Sequence, residues 1–288
     1  MRRAIWLGAG ILLCSAIIAS AAPSARADEW SKNYSISGRA NLHVTTDDGD
    51  VSITSADQKD ISAHVTTTGY KIGPHDVTIE ESQSGDSVTI QVRMPHFNWS
   101  FWGGGHGSVH VDLRVPRSLD LDVSTGDGSV TAQPVAGQIR ITTGDGNITA
   151  DGTKGDIYMH SGDGHIQAQN LDGNLRVDTG DGHVTVSGRF DSLDLKTGDG
   201  NIEASAINGS KVANGWSLHS GDGHIDLRVP GDLSADLDAH TGDGSITLDV
   251  PVTVAGSLSH STVRGKMNGG GGTLRITSGD GSIHVEKI

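Results

Sequence analysis

The chain has 288 residues, of which 41 are Gly and only 11 are aromatic (5 Trp, 3 Tyr and 3 Phe). Hydrophobic residues make up 34%, and 35 acids outweigh 21 Lys and Arg, giving a formal charge of −14. This composition lacks the broad Leu-, Phe- and Ala-rich faces that a helical bundle or an α/β enzyme buries. Its sign argues against nucleic acid and anionic membrane surfaces as partners, and leaves cations and basic surfaces.

Residues 1–27 read as a signal peptide. Arg2 and Arg3 are the basic start, Ala4 to Ala22 is apolar, and Ala25-Arg26-Ala27 is a small-residue cleavage site. The mature chain is expected to begin at Asp28, exported to the periplasm or the cell surface. The only cysteine, Cys14, lies in this leader, so no disulfide or thiolate chemistry is expected afterwards. The leader carries three Arg and no acid, so the mature charge is (21 − 3) − 35 = −17. No later stretch reaches the ~18 apolar residues of a membrane span.

Residues 28–123 read as an N-terminal cap with degenerate β coils, because an open sheet end needs cover. Leu42, Val44, Val51 and Ile53 alternate around Asp47-Asp48-Gly49, and Val77, Ile79, Val88, Ile90 and Val92 read as a separate hairpin. The segment 95–107 holds Phe97, Trp99, Phe101 and Trp102, followed by Gly103-Gly104-Gly105. Buried, it is an apolar plug on the solenoid end; exposed, it is a contact patch for sugar, peptide or lipid.

The region 124–288 is a repeat. Gly-Asp-Gly starts at Gly126, Gly144, Gly162, Gly180, Gly198, Gly221, Gly242 and Gly279, at intervals of 18, 18, 18, 18, 23, 21 and 37. The longest interval predicts one degenerate copy near Ser257–Gly265. Apolar residues stand five and three positions before the first Gly (Ile139 and Ile141, for example) and four and six after it (Ile148 and Ala150). A Thr or Ser always precedes the tripeptide. Period-2 alternation on both sides of a Gly-Asp-Gly corner predicts strand, turn, strand. One unit buries too little to stand alone, and stacking like on like supplies the rest. The expected fold is all-β: a parallel β-solenoid of ~18-residue coils, right-handed from strand twist. The alternative is a meander or sandwich of hairpins, since Asp-Gly is also a favoured hairpin turn.

The export signal and the T/S-G-D-G-x-I/V repeats resemble bacterial adhesin-like families of β-strand-repeat domains of unknown function, including the "head GIN" adhesin domains. The resemblance covers roughly residues 40–288. It implies a surface adhesion role and brings no residue-level site.

Candidate chemistry follows the repeat. Asp127, Asp145, Asp163, Asp181, Asp199, Asp222, Asp243 and Asp280 would stack in a row. As turn residues they bond their own backbone, beside glycines at positive φ. As ligands they would make a calcium ladder with turn carbonyls. Two copies read His-Ser-Gly-Asp-Gly-His, placing His160 with His165 and His219 with His224 around one turn, a set suited to a transition metal. No catalytic signature occurs: there is no G-x-S-x-G, H-E-x-x-H or phosphate loop. The reading is a non-enzymatic adhesion or envelope-interaction module whose partner is a surface component, glycan or protein, with no cofactor unless calcium. The alternatives are a metal-binding repeat protein and a polysaccharide-active β-helix enzyme.

Overall fold

The computed structural model describes residues 27–94, 107–254 and 259–288, and among these it contains 23 strands and no helix. The strands fall into two ladders joined at the Gly-Asp-Gly corner. Front strands precede the corner and back strands follow it. The front strand Ala136–Thr143 pairs in parallel with Lys154–Ser161, Ile139 opposite Ile157, a shift of one 18-residue period. The back strands keep the same shift, with Ile148 opposite both Val130 and Ile166. The fold is therefore β-solenoid-like. In a hairpin meander the two strands flanking each corner would pair with each other; here each pairs with its equivalent in the next coil.

Alternation explains the core. The four apolar positions of each repeat point inward, and Ile139, Ile141, Ile148 and Ala150 are at most 2% exposed. Their stacked equivalents form one continuous column of Val, Ile, Leu and Ala, so adjacent coils share burial that no single coil could provide. Phe190 and Trp216 are the large exceptions, packed edge to face with centroids 6.3 Å apart. They sit where the interval lengthens to 23 residues. There Arg189 forks onto both oxygens of Asp191 and also bonds Asp172, which holds the Asp191 carboxyl below the usual carboxylate range.

Coil order in space departs from chain order at both ends. The coil at 40–56 stacks directly on the coil at 119–132, with Leu42 opposite Leu121 and Val51 opposite Val130. The coil built from Ser87–Arg93 and Ser108–Pro116 lies outside it, so the chain steps outward and returns. The expected hairpin is present between Thr78–Ser84 and Ser87–Arg93, and its second strand is also a coil strand. The antiparallel strands Ile61–Thr68 and Ala27–Tyr34 cover the edge of the back ladder at this end.

The C-terminal end mirrors this arrangement and corrects one expectation. The degenerate coil expected near Ser257–Gly265 is not what the described residues of that span form. The strand Thr262–Met267 runs antiparallel to Ala235–Thr241 and pairs with Val252–Val254 as an edge-covering hairpin. The 37-residue interval arises because the last coil is inserted. Gly272–Ser278 lies between Trp216–Ser220 and Ala235–Thr241, and Ile283–Lys287 lies between Ile225–Val229 and Ile246–Asp249. Such an order suits edge protection: the outermost front strand is covered by antiparallel chain rather than left open. Ten parallel coils result, spanning about 45 Å at ~4.8 Å each.

Candidate functional site

The corner carries most of the polar chemistry, and a buried hydroxyl organises it. The Thr or Ser before each Gly-Asp-Gly points inward: Thr143 is 1% exposed and Ser161 0%. Its oxygen accepts the N–H of the third corner residue, as Thr143 does from Gly146 at 3.2 Å. It also donates to the equivalent carbonyl of the neighbouring coil, Thr143 to Gly128 at 2.9 Å and Ser161 to Gly146 at 2.9 Å. The same pair of bonds recurs at Ser220, Ser278 and Thr241. One hydroxyl thus closes its own turn and ties it to the next coil, satisfying backbone groups that water cannot reach.

This corrects the expected turn chemistry. None of the Gly-Asp-Gly glycines has positive φ; glycines that do lie elsewhere, such as Gly155 (φ 110) and Gly173 (φ 136). The corner glycines are required by stacking. A Cβ on Gly146 would overlap the carbonyl oxygen of Gly128, and a Cβ on Gly144 would lie 2.7 Å from the oxygen of Gly126. The aspartates are not turn formers either. All eight are exposed. Turn closure belongs to the hydroxyl, and Asp127 Oδ1 merely overlies Gly144 in the next coil. The eight carboxylates therefore form a row along one edge of the solenoid, one per coil.

A second ladder runs beside them, three positions after the first corner Gly. Here each side chain accepts the backbone N–H of the same position in the next coil. Asn147 Oδ1 accepts from His165, His165 Nδ1 from His183, His183 Nδ1 from Asn201, Asn201 Oδ1 from His224, and His224 Nδ1 from Ser282, all at 2.8–3.0 Å. The bonds assign the tautomer: Nδ1 carries a lone pair and Nε2 the proton. The His165 and His183 rings stack 5.0 Å apart at 7°, so their Nε2 atoms project in parallel rather than converging on one point. His160 and His219 lie in front strands, across from Asp178 and Lys196. Among the described residues no three His, Cys, Asp or Glu are placed together as a metal-holding group. Phe97, Trp99, Phe101 and Trp102 lie outside the described residues.

Sequence reasoning passed over the outward face of the front ladder. Arg140, Tyr158, Arg176, Asp194, Ser217, Arg275 and Asp238 follow one another across consecutive coils. The Arg140 guanidinium lies 4.4 Å from the Tyr158 ring centre, and Arg176 meets Asp194 at 3.1 Å. Two cavities of about 480 and 340 Å³ open on this face and share Ser192 and Asp194.

Stacked coils, in-register side-chain ladders and a glycine-dependent corner define a β-repeat protein whose chemistry is repeated rather than concentrated. The family model described as Toastrack DUF4097 matches residues 39–286, and the chain belongs to that family. The resemblance read from the repeats is borne out at this level. Solved structures with similar coordinates include a putative lipid binding protein from Parabacteroides distasonis, with 13% identity, 90% of this chain and 96% of that chain covered, and a TM-score of 0.46. A putative adhesin from Bacteroides fragilis has 14% identity, 92% and 99% coverage and a TM-score of 0.37. A putative cell adhesion protein from Clostridium sporogenes has 12% identity, 91% and 100% coverage and a TM-score of 0.30. No curated protein matches the chain.

Proposed function

We propose that the chain is an exported, non-enzymatic module for adhesion or another contact at the cell envelope, wound right-handedly, with a surface glycan or protein as partner. The observation that carries this reading is the division of labour among side chains. Buried hydroxyls and inward aliphatics hold the coils together, while outward positions form polar rows in register over ten coils. That is an extended recognition surface rather than a pocket. Export is supported by Arg2, Arg3, the apolar run Ala4 to Ala22 and Ala25-Arg26-Ala27. No helix among the described residues is long and apolar enough to cross a membrane. The test is binding of the labelled full chain to cells and envelope fractions, with and without Pro95–Gly105. Lost binding at unchanged stability makes the aromatic segment a contact patch, and unfolding makes it a plug. No binding by the unaltered chain overturns the module reading.

The exposed aspartate row favours a second reading, a calcium-binding repeat, because the corner leaves these carboxylates unused. Thermal unfolding after chelation, then with added calcium or zinc, tests it. A rise of many degrees with calcium supports Asp127 to Asp280 as ligands, and a rise with zinc alone supports the His160–His165 and His219–His224 turns. No shift with either removes both.

A further inference from the structure

The outward face of the front ladder holds a furrow parallel to the solenoid axis. One wall is Asp156, Asn174, Ser192 and Thr273. The other is Tyr158, Arg176, Asp194, Ser217 and Arg275. The walls are alternate residues of the same strands, so the floor is backbone and the furrow continues from coil to coil. From Tyr158 to Arg275 it crosses five coils, about 19 Å. It deepens at the 23-residue interval, where the front strand begins only at Trp216 and the chain before it, Asn214 and Gly215, borders a notch.

We propose that this furrow binds a linear, uncharged glycan laid along the solenoid axis, an inference that rests on the envelope-module reading and names its ligand class. Four observations point there. The two Arg and two Asp of the walls cancel, with Arg176 already paired to Asp194, so nothing in the furrow selects a charged ligand. The mature charge of (21 − 3) − 35 = −17 repels polyanions. The front strands at the furrow are paired on both sides, which leaves no edge for a peptide to extend. What the walls do offer is hydroxyl, amide, carboxylate and guanidinium groups at a one-coil repeat, beside the Tyr158 ring. That is a match for a ligand dense in hydroxyls.

Calorimetric titration of the full chain with neutral hexasaccharides (cello-, xylo-, manno- and chitohexaose) and with polygalacturonate tests the proposal. Binding of at least one neutral chain is expected. Asp194→Ala and Arg275→Ala should each weaken it about tenfold, as removal of a hydrogen bond to a charged group does. Both side chains face outward, so melting temperatures should hold. Thr149→Ala, on the back ladder, should bind as the unaltered chain does. Binding of none of the neutral chains, preference for polygalacturonate, or neutral binding insensitive to both furrow variants overturns the proposal. Envelope binding retained in full by the furrow variants also overturns it while leaving the module reading intact. Envelope binding absent from the unaltered chain strikes the module reading instead, whatever the purified saccharides do.

Discussion

Replacing Thr143 by Val removes one hydroxyl and nearly nothing else. The two side chains are close in volume, the site is 1% exposed, and Val suits a strand. The hydroxyl accepts from Gly146 N–H at 3.2 Å and donates to Gly128 O at 2.9 Å, with Gly126 O also within 3.0 Å. Gly128 and Gly146 are both buried, so water cannot replace these bonds. An orphaned buried donor or acceptor costs about 1–3 kcal/mol. One of each, with the carbonyl keeping some alternative bonding, gives an expected loss of about 2–4 kcal/mol. With a urea m-value of about 3 kcal/mol per molar, the midpoint should fall by roughly 0.7–1.3 M. Thr143→Ser keeps the hydroxyl and loses a methyl, for a cost of about 1 kcal/mol, and Ser already fills the position at Ser161, Ser220 and Ser278. Urea unfolding followed by far-UV circular dichroism compares the two, and exchange of the Gly146 amide reads the site directly. Equal midpoints for the Val and Ser variants would refute the claim that the hydroxyl column holds the corner.

The other expectations concern stacking, charge, the His ladder and coil order. Gly146→Ala should cost more than about 3 kcal/mol or abolish folding, because its Cβ meets the backbone of Gly128 rather than a movable side chain; soluble yield and melting temperature decide it. Asp145→Asn, Asp163→Asn and Asp181→Asn together should raise the melting temperature at low salt, since adjacent carboxylates repel by about 1 kcal/mol in water-like dielectric. That gain should fade by about 0.5 M salt, and a loss of stability would restore the aspartates as turn formers. Replacing His165, His183 and His224 together by Ala should lower the melting temperature by a few degrees, because each Nδ1 accepts a backbone N–H of the next coil. Replacing the three His by Asn, which does the same job at Asn147 and Asn201, should hold the melting temperature, and a loss equal to that of the Ala variant would refute the acceptor ladder. Truncation after Gly271 should unfold more than one coil, because the missing coil leaves facing edges on Trp216–Ser220 and Ala235–Thr241; protection from proteolysis retained up to Asp249 would contradict the inserted order.

Much of this architecture is legible in the residues. Apolar alternation at Ile139, Ile141, Ile148 and Ala150, repeated at 18 residues, is a local pattern whose period sets both strand type and coil length. Family membership follows from the same repeat. The role of Thr143 and its equivalents was visible as an invariant Thr or Ser without a reason attached, since that reason lies in the carbonyl of a neighbouring coil. For the corner glycines, local conformational preference suggested left-handed φ, whereas what excludes a Cβ is another coil's backbone. The His160–His165 and His219–His224 turns were read as metal chemistry because residue type is visible in sequence and the direction of a lone pair, at His165 and His224, is not. The inserted coils and the furrow were beyond the sequence altogether. A strand carries its alternation wherever it docks, so periodicity determines what a coil is, and only the competition among open sheet edges for partners decides which coils become neighbours.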